Sequence, residues 1–228
     1  MVNACVYLAK TGCPWRYLPT DFGPWATVRT WHDRFRAYGI WTEVAALLTW
    51  AVRRQRGRRA EPSTAILDLK SVVSGPQAGI RGTGGKKKKV RGIKRHVLTC
   101  SRGFVLAALV TAANVHDTQA AGWLLDRAAA ACWSPVRVKA DGIYTGARMD
   151  EAAARHGVEV QISTREAQVK GFQPLPLRWR IEATFGTLST RHRRLTRHWE
   201  PSPAAAEDNI SIANCHRLMR AFQRNIYR

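Results

Sequence analysis

Acidic side chains are scarce in this sequence. Asp and Glu number 16 against 37 Lys and Arg, which gives a net charge of +21 at pH 7 and an isoelectric point near 11.0. A field of this sign favours polyanionic partners, and the commonest soluble polyanions are nucleic acids. A basic membrane-surface protein and a ribosome-type binder remain as alternatives.

Long apolar runs, a secretory signal and paired cysteines are also missing. No run of about 18 apolar residues occurs, which excludes a membrane-spanning helix of ordinary composition. The N-terminal segment MVNACVYLAKTG lacks the basic start and long apolar stretch of a secretory signal. The five cysteines are scattered and form no CxxC pair, so neither a zinc site nor a disulfide framework is indicated. We expect reduced thiols and a cytoplasmic location, in association with the nucleoid.

Residues 1–60 are predicted to form a small helical region. Apolar residues recur at helical spacing in 2–10, 25–38 and 41–55, and exposed arginines accompany the second segment. Two short helices joined by a tight turn are compatible with a helix-turn-helix, and a plain helical hairpin is the alternative. The basic segment 53–62 has no core-forming residues and marks the boundary with a second domain, residues 61–228.

From residue 61 onwards the pattern predicts an α/β fold. A buried strand at 64–73 precedes a glycine-rich basic loop, which we expect to be mobile, and then an antiparallel hairpin. A helix capped by Asp117, a strand, a helix, a short strand and two long helices follow. Three antiparallel strands, followed by two added through right-handed crossovers, predict an RNase H-like mixed five-stranded sheet with flanking helices.

Three of the rare acids occupy positions that favour metal binding. Asp68 lies inside the first strand, Asp141 lies at the carboxyl end of the fourth, and Glu182 lies on a helix rich in arginine. In an RNase H-like sheet these two strands are neighbours, and a divalent cation relieves the repulsion of two close carboxylates. The alternatives are that Asp141 only begins a turn and that Glu182 only pairs with Arg178. His192, among arginines, is expected to face DNA or solvent.

Oxygen ligands of this kind suit Mg²⁺, with Mn²⁺ as a second possibility. Two such ions about 4 Å apart activate an attacking water and stabilise the leaving oxygen of a phosphodiester. The surrounding cations would hold the DNA backbone. The candidates are Lys86, Lys87, Lys88, Lys89, Arg91, Lys94, Arg95, Arg178, Arg191, Arg193 and Arg194.

The chain resembles a known family in several separate motifs. They are TGCPWRYLPTDFGPWATVRTWHDRF, LDLKSV, GGKKKKVRGIKRHVL, AANVHDT, KADGIYTG and LRWRIEATFGTLSTRHRRL. Together these resemble the DDE (Asp-Asp-Glu) transposases of bacterial insertion sequences, in the insertion-sequence-five group of the insertion-sequence-four superfamily.

The resemblance implies a catalytic triad of Asp68, Asp141 and Glu182. It also implies a metal-dependent transposase that cleaves the ends of an insertion sequence and joins the 3′ ends to target DNA. Its expected partners are double-stranded DNA, comprising terminal inverted repeats and target, and a second copy in a homodimer. Family members usually carry further residues ahead of the first motif, so residues 1–60 are expected to be a partial DNA-end-binding region. The alternative is a catalytically silent, truncated DNA-binding product that competes with the full-length enzyme.

Overall fold

Helices make up the first quarter of the chain. A computed structural model gives the fold and describes residues 1–85, 89–163 and 178–226. The helices are α1 (Val2–Thr11), α2 (Trp25–Ala37) and α3 (Ile40–Gln55), with 3-10 turns at Trp15–Tyr17 and Thr20–Phe22. Gly12 ends α1 in the left-handed conformation, with φ 70°, which residues with a Cβ rarely adopt. The three predicted helices are therefore confirmed to within two residues at each end.

A mixed sheet forms the centre of the molecule. Its strands are β1 (Thr64–Val73), β2 (Gly82–Gly84), β3 (Val90–Cys100), β4 (Val105–Ala112), β5 (Arg137–Ala140) and β6 (Glu159–Ile162). The order β4-β3-β1-β5-β6 has β3 antiparallel to both of its long neighbours, while β5 and β6 run parallel to β1. This is the predicted RNase H-like arrangement, and it is confirmed.

Helices cover both faces of the sheet. They are α4 (Asp117–Ala130), α5 (Ala147–Arg155), α6 (Arg178–Arg191) and α7 (Pro203–Ile226), and a 3-10 turn at Arg193–Leu195 follows α6. Alternate residues of β1 enter different core clusters. Leu67 packs in the cluster that contains α4 and α5, and Ile66 packs in the cluster that contains α6 and part of α7. None of the helices in the described ranges is long and apolar enough to cross a bilayer.

The glycine-rich segment is more ordered than predicted over the part that is described. Gly82–Gly84 forms β2 against β3, which adds a sixth strand to the predicted five. A Cβ on Gly84 would lie 1.9 Å from the carbonyl oxygen of Ala113, so a side chain there would prevent this close approach. The prediction of a loop is therefore wrong for Gly82–Gly84, while Lys86, Lys87 and Lys88 lie outside the described residues.

Two further predictions about helix ends are corrected. Asp117 is the first residue of α4 and its carboxylate accepts a hydrogen bond of 2.7 Å from Lys94, whereas the cap position is His116 and has no side-chain capping bond. The first of the two long helices predicted for the end of the chain, whose pattern runs from about Trp179 to Arg197, ends at Arg191 and gives way to the 3-10 turn. In the first case an ion pair across the sheet replaces the local bond that sequence reasoning assumes.

The N-terminal helices pack directly on α7. Cys5 of α1 and Trp41 of α3 share a buried cluster with Ile212 and Cys215 of α7. The segment predicted as a linker is anchored by Arg53, which is buried and donates hydrogen bonds to the carbonyl oxygens of residues 59, 60 and 61. The division into residues 1–60 and 61–228 stays a prediction.

Candidate active site and nucleic-acid interface

Asp68 and Asp141 follow the paired part of two neighbouring strands, β1 and β5. β1 and β5 pair in parallel with Ile66 opposite Lys139, and extending that register by two residues sets Asp68 opposite Asp141. Asp68 is half-buried and alternates with Leu67, so it shares the face of Ile66, which packs beside Ile181 of α6. The predicted adjacency of these two strands is therefore confirmed, and the carboxylates are at the end where β5 stops.

Backbone amides fix the orientation of both carboxylates. Oδ1 of Asp68 accepts a bond of 2.8 Å from the amide of Leu69, and Oδ1 of Asp141 accepts one of 3.1 Å from the amide of Ile143. The carbonyl of Asp141 also accepts a bond from the amide of Tyr144. Asp141 thus does begin a turn, as the alternative stated. The hydrogen bond from Ile143 within this turn restrains the orientation of the Asp141 carboxylate.

Glu182 lies on α6, which covers the same face of the sheet as Asp68. Ile181, Phe185 and Leu188 bury the inner side of this helix, whereas Glu182 is exposed at its margin. Within residues 1–85, 89–163 and 178–226, no three His, Cys, Asp or Glu side chains are grouped closely enough to hold a metal ion. The structure therefore places the strands that carry the two aspartates side by side, and the triad of Asp68, Asp141 and Glu182 stays a prediction.

The donor chemistry at this edge suits a hard divalent cation. Two carboxylates at adjacent register positions repel each other, and a divalent cation bound between them offsets that repulsion. Carboxylate oxygens are the ligands that Mg²⁺ and Mn²⁺ prefer, and neither ion requires the protein to fill every coordination position. Asp68 and Asp141 consequently fit such an ion, with Glu182 as the nearest candidate on α6 for a third ligand.

The predicted DNA-contacting cations divide into two groups. Lys89, Arg91, Arg191 and Arg193 are exposed, whereas Arg95 and Arg194 are committed to contacts inside the protein. Arg95 donates to the carbonyl of Leu195, and burial lowers its pKa to about 10. Arg194 pairs with Glu200 at 2.7 Å and donates to the carbonyl of Cys13 at 3.1 Å.

Lys94 also has partners within the protein. Its ammonium donates to Asp117 and to the carbonyl of Val115, each at 2.7 Å. Lys89, Arg91, Arg191 and Arg193 are therefore exposed, whereas Arg95, Lys94 and Arg194 have partners inside the protein, and the DNA contacts of all seven stay predictions. Lys86, Lys87, Lys88 and the side chain of Arg178 lie outside the described residues.

Comparison with known proteins gives two family matches. Residues 59–217 match the model described as "Transposase DDE domain", which covers more than half of the chain. The chain belongs to the DDE transposases. Residues 1–45 match the model described as "Putative transposase of IS4/5 family", which agrees with the resemblance in the sequence motifs. No curated protein sequence matches the chain.

Solved structures of another transposase show a more distant likeness. The catalytic domain of Mos1 mariner transposase is 13% identical, with a TM-score of 0.37, over 82% of this chain and 92% of that one. The Mos1 transposase paired-end complex with left transposon end is 12% identical, with a TM-score of 0.33, over 99% and 77% of the two chains. The RNase H-like fold is therefore assigned from the strand order of this chain and not from these similarities.

Two buried polar residues were missed or misjudged from the sequence. His192 is buried rather than exposed, its Nε2 lies 3.1 Å from Nδ1 of His216, and burial together with that neighbour lowers its pKa to about 4. Glu200 drew no notice, yet it is the buried carboxylate that pairs with Arg194. Only its position as the first acid after a long basic stretch could have signalled this role.

Proposed function

We propose that this DDE transposase cleaves the ends of an insertion sequence and joins the freed 3′ ends to target DNA. The observation that carries the proposal is the parallel pairing of β1 with β5, whose register, if continued by two residues, would set Asp68 opposite Asp141 on the face covered by α6. Membership of the DDE family supports the same assignment. In this proposal Asp68, Asp141 and Glu182 hold two Mg²⁺ ions, or two Mn²⁺ ions.

The residues of the chain have distinct tasks in this reaction. The amides of Leu69 and Ile143 orient the carboxylates of Asp68 and Asp141 before any substrate arrives. The exposed arginines near the end of α6, Arg191 and Arg193, bind backbone phosphates of the DNA. When bound, the divalent ions would activate water and stabilise the charge on the leaving oxygen.

We also propose that the active assembly on DNA is a homodimer, because transposition requires two element ends to be held together. The excess of positive charge supports binding of two duplexes by one assembly. Sedimentation of the protein with one and with two equivalents of end DNA measures this, and a complex containing one chain at saturating DNA would contradict it.

Nicking of a duplex that carries the DNA flanking the coding region tests the catalytic assignment. With Mg²⁺ present, wild type is expected to nick the duplex, and Asp68→Asn and Asp141→Asn are each expected to lose about a thousandfold in rate, because several kcal/mol of transition-state stabilisation are removed. Asp150→Asn, an exposed acid on α5, is the matched control and should retain the rate. Joining of the cut end to a plasmid distinguishes transposition from simple nuclease activity.

A catalytically silent DNA-binding product is the second candidate function. The observation that favours it is the absence, in the described part of the chain, of a three-ligand group containing Glu182. DNA binding without nicking by wild type under these conditions would establish this candidate instead.

A further inference from the structure

Trp199 is an exposed tryptophan on an ordered stretch of backbone. It is 46% exposed, although the segment that carries it is fixed to the end of β1. The amide of His198 donates to the carbonyl of Val73 at 3.0 Å, and the carbonyl of His198 accepts from the amide of Gly75 at 2.7 Å. A further bond of 3.1 Å joins the amide of Gly79 to the carbonyl of Glu200. Trp199 therefore has little backbone freedom on either side.

The indole ring of Trp199 packs directly against Gly75. A Cβ added to Gly75 would lie 2.2 Å from Cε3 and Cζ3 of the ring, so the ring occupies the space that any larger residue would need. The guanidinium of Arg197 lies 5.5 Å from the ring centroid. A guanidinium and a nucleobase bind an aromatic face through the same π system, so Arg197 marks a place that a base can take.

The distance of Trp199 from Asp68 and Asp141 determines which nucleotide of a bound DNA strand could contact the indole ring. Ser74 bridges to His198 and lies six residues after Asp68 along the same chain direction, or about 20 Å at the rise of a β-strand. That length corresponds to roughly six nucleotides of a DNA strand. Arg91 is exposed beside this end, and its carbonyl accepts a bond from the amide of Ser74.

We propose that Trp199, together with Arg197, is a stacking platform for an unpaired nucleobase of the DNA, roughly six nucleotides from the phosphate that reacts. The inference rests on the proposed function, because it requires that the DNA is cleaved at Asp68 and Asp141 and that the strand runs from there along β1 towards Trp199. Arg197 then leaves the ring and binds a neighbouring phosphate, and Arg91 holds the strand on the other side of the platform. The chemistry recognised is a base with an open π face, so a fully paired duplex does not engage Trp199.

Binding of duplexes with a single bulged thymine, compared with the same duplexes carrying an abasic bulge, tests the proposal. Wild type is expected to prefer the thymine bulge by about 5- to 150-fold in Kd, the range that stacking of one base on an aromatic side chain provides. Trp199→Ala should bind both duplexes equally. Trp123→Ala, which removes a comparably exposed tryptophan (43%) from α4, should keep the wild-type preference.

Two further variants keep the test decisive if Trp199→Ala does not fold. Trp199→Phe retains an aromatic face and should keep part of the preference for the thymine bulge. The thymine-bulged duplex should quench the tryptophan fluorescence of Trp199→Phe less than that of Trp123→Phe, because Trp123→Phe still has Trp199. Gly75→Ala displaces the ring without removing it and should also reduce the preference. Equal preference in wild type and every Trp199 variant, or no preference in wild type, would overturn the platform.

The proposed catalytic function has a separate readout. Nicking that depends on Asp141 measures it without reference to any bulged base. Loss of the base preference with nicking intact would support the platform as a DNA contact. Nicking by wild type with no base preference would reject the platform and leave the proposed function standing.

Discussion

Glu200 compensates the positive charge of two arginines, Arg194 and Arg95. It is 8% exposed, its Oε1 accepts from Nε of Arg194 at 2.7 Å, and its Oε2 accepts from Nη2 at 3.4 Å. Its charge also acts on Arg95, whose pKa it raises against the effect of burial. A residue that appears in the sequence only as one acid after many arginines thus holds the 3-10 turn after α6 in place.

Removing that carboxylate should destabilise the protein strongly. Glu200→Ala leaves the guanidinium of Arg194 without its buried counter-charge, so we expect a loss of about 3 kcal/mol in the free energy of unfolding. Urea denaturation followed by circular dichroism measures it. Glu151→Ala, which removes an acid with 76% side-chain exposure from an ion pair on α5, should change stability by less than about 1 kcal/mol. Similar losses in the two variants would contradict the assignment.

Asp208 gives the stability of the protein a specific dependence on pH. Burial raises its pKa from 3.8 to about 7, with Glu207 acting in the same direction and Arg36, 3.9 Å away, opposing them. Between pH 4 and pH 7 the folded state therefore binds a proton that the unfolded state has lost. The contribution of this group to stability falls as pH rises through that window.

Asp208→Asn should remove this pH dependence. The variant is expected to match wild type near pH 4 and to exceed it at pH 8 by about 1–4 kcal/mol, because wild type must hold a buried carboxylate there. Urea denaturation at the two pH values measures the difference. A stability difference that is the same at pH 4 and pH 8 would show that Asp208 does not titrate in this window.

At the scale of elements, close backbone contact determines the position of β2. Gly84 and Gly82 face the connection after β4, where a Cβ would lie 1.9 Å from the carbonyl of Ala113 and 2.1 Å from Oδ1 of Asn114. In α6, by contrast, a Cβ on Gly186 would meet no atom within 4 Å. Gly84 and Gly186, which belong to two separate motifs of the sequence, therefore have opposite structural requirements.

The same substitution should accordingly have opposite signs at these two positions. Gly84→Ala is expected to cost about 1–3 kcal/mol, since the backbone of β2 must move away from Ala113. Gly186→Ala should stabilise the protein by about 0.5–1 kcal/mol, because alanine restricts the unfolded chain and favours the helix. Thermal unfolding of both variants measures the two changes. Destabilisation by Gly186→Ala would contradict this expectation and would mean that another part of the protein packs against α6 at Gly186.

At the scale of the molecule, the N-terminal helices and the sheet share one core. Val52 of α3 lies in the same buried cluster as Leu67 of β1, and α3 also packs on α7. We expect residues 61–228 alone to unfold at a lower temperature than the whole chain, because these surfaces become exposed to water. Calorimetry of the whole chain should show one cooperative transition. Two separate transitions would instead support independent folding of residues 1–60.

The net charge predicts a steep dependence of DNA affinity on salt. Each phosphate contact contributes a slope of about −0.9 in log K against log salt concentration. Replacing Arg193, which is exposed beside α6, by Ala should reduce the magnitude of the slope by about 1. Arg127→Ala is the control: Arg127 lies on α4 and pairs with Glu207 of α7, so its removal should leave the slope unchanged. Equal slopes in wild type and Arg193→Ala would remove Arg193 from the DNA interface.

The sequence by itself determined the family, the order of the five predicted strands and which two of them carry Asp68 and Asp141. The apolar residues of β1 and the strand-turn pattern at Asp141 are local signals, and they identify β1 and β5 without knowledge of the tertiary structure. Only the tertiary structure decided which cations are available to DNA. Arg95 and Arg193 look alike in the sequence, yet one is buried and the other exposed. Their difference depends on partners that meet through packing of distant segments, for which no local pattern exists.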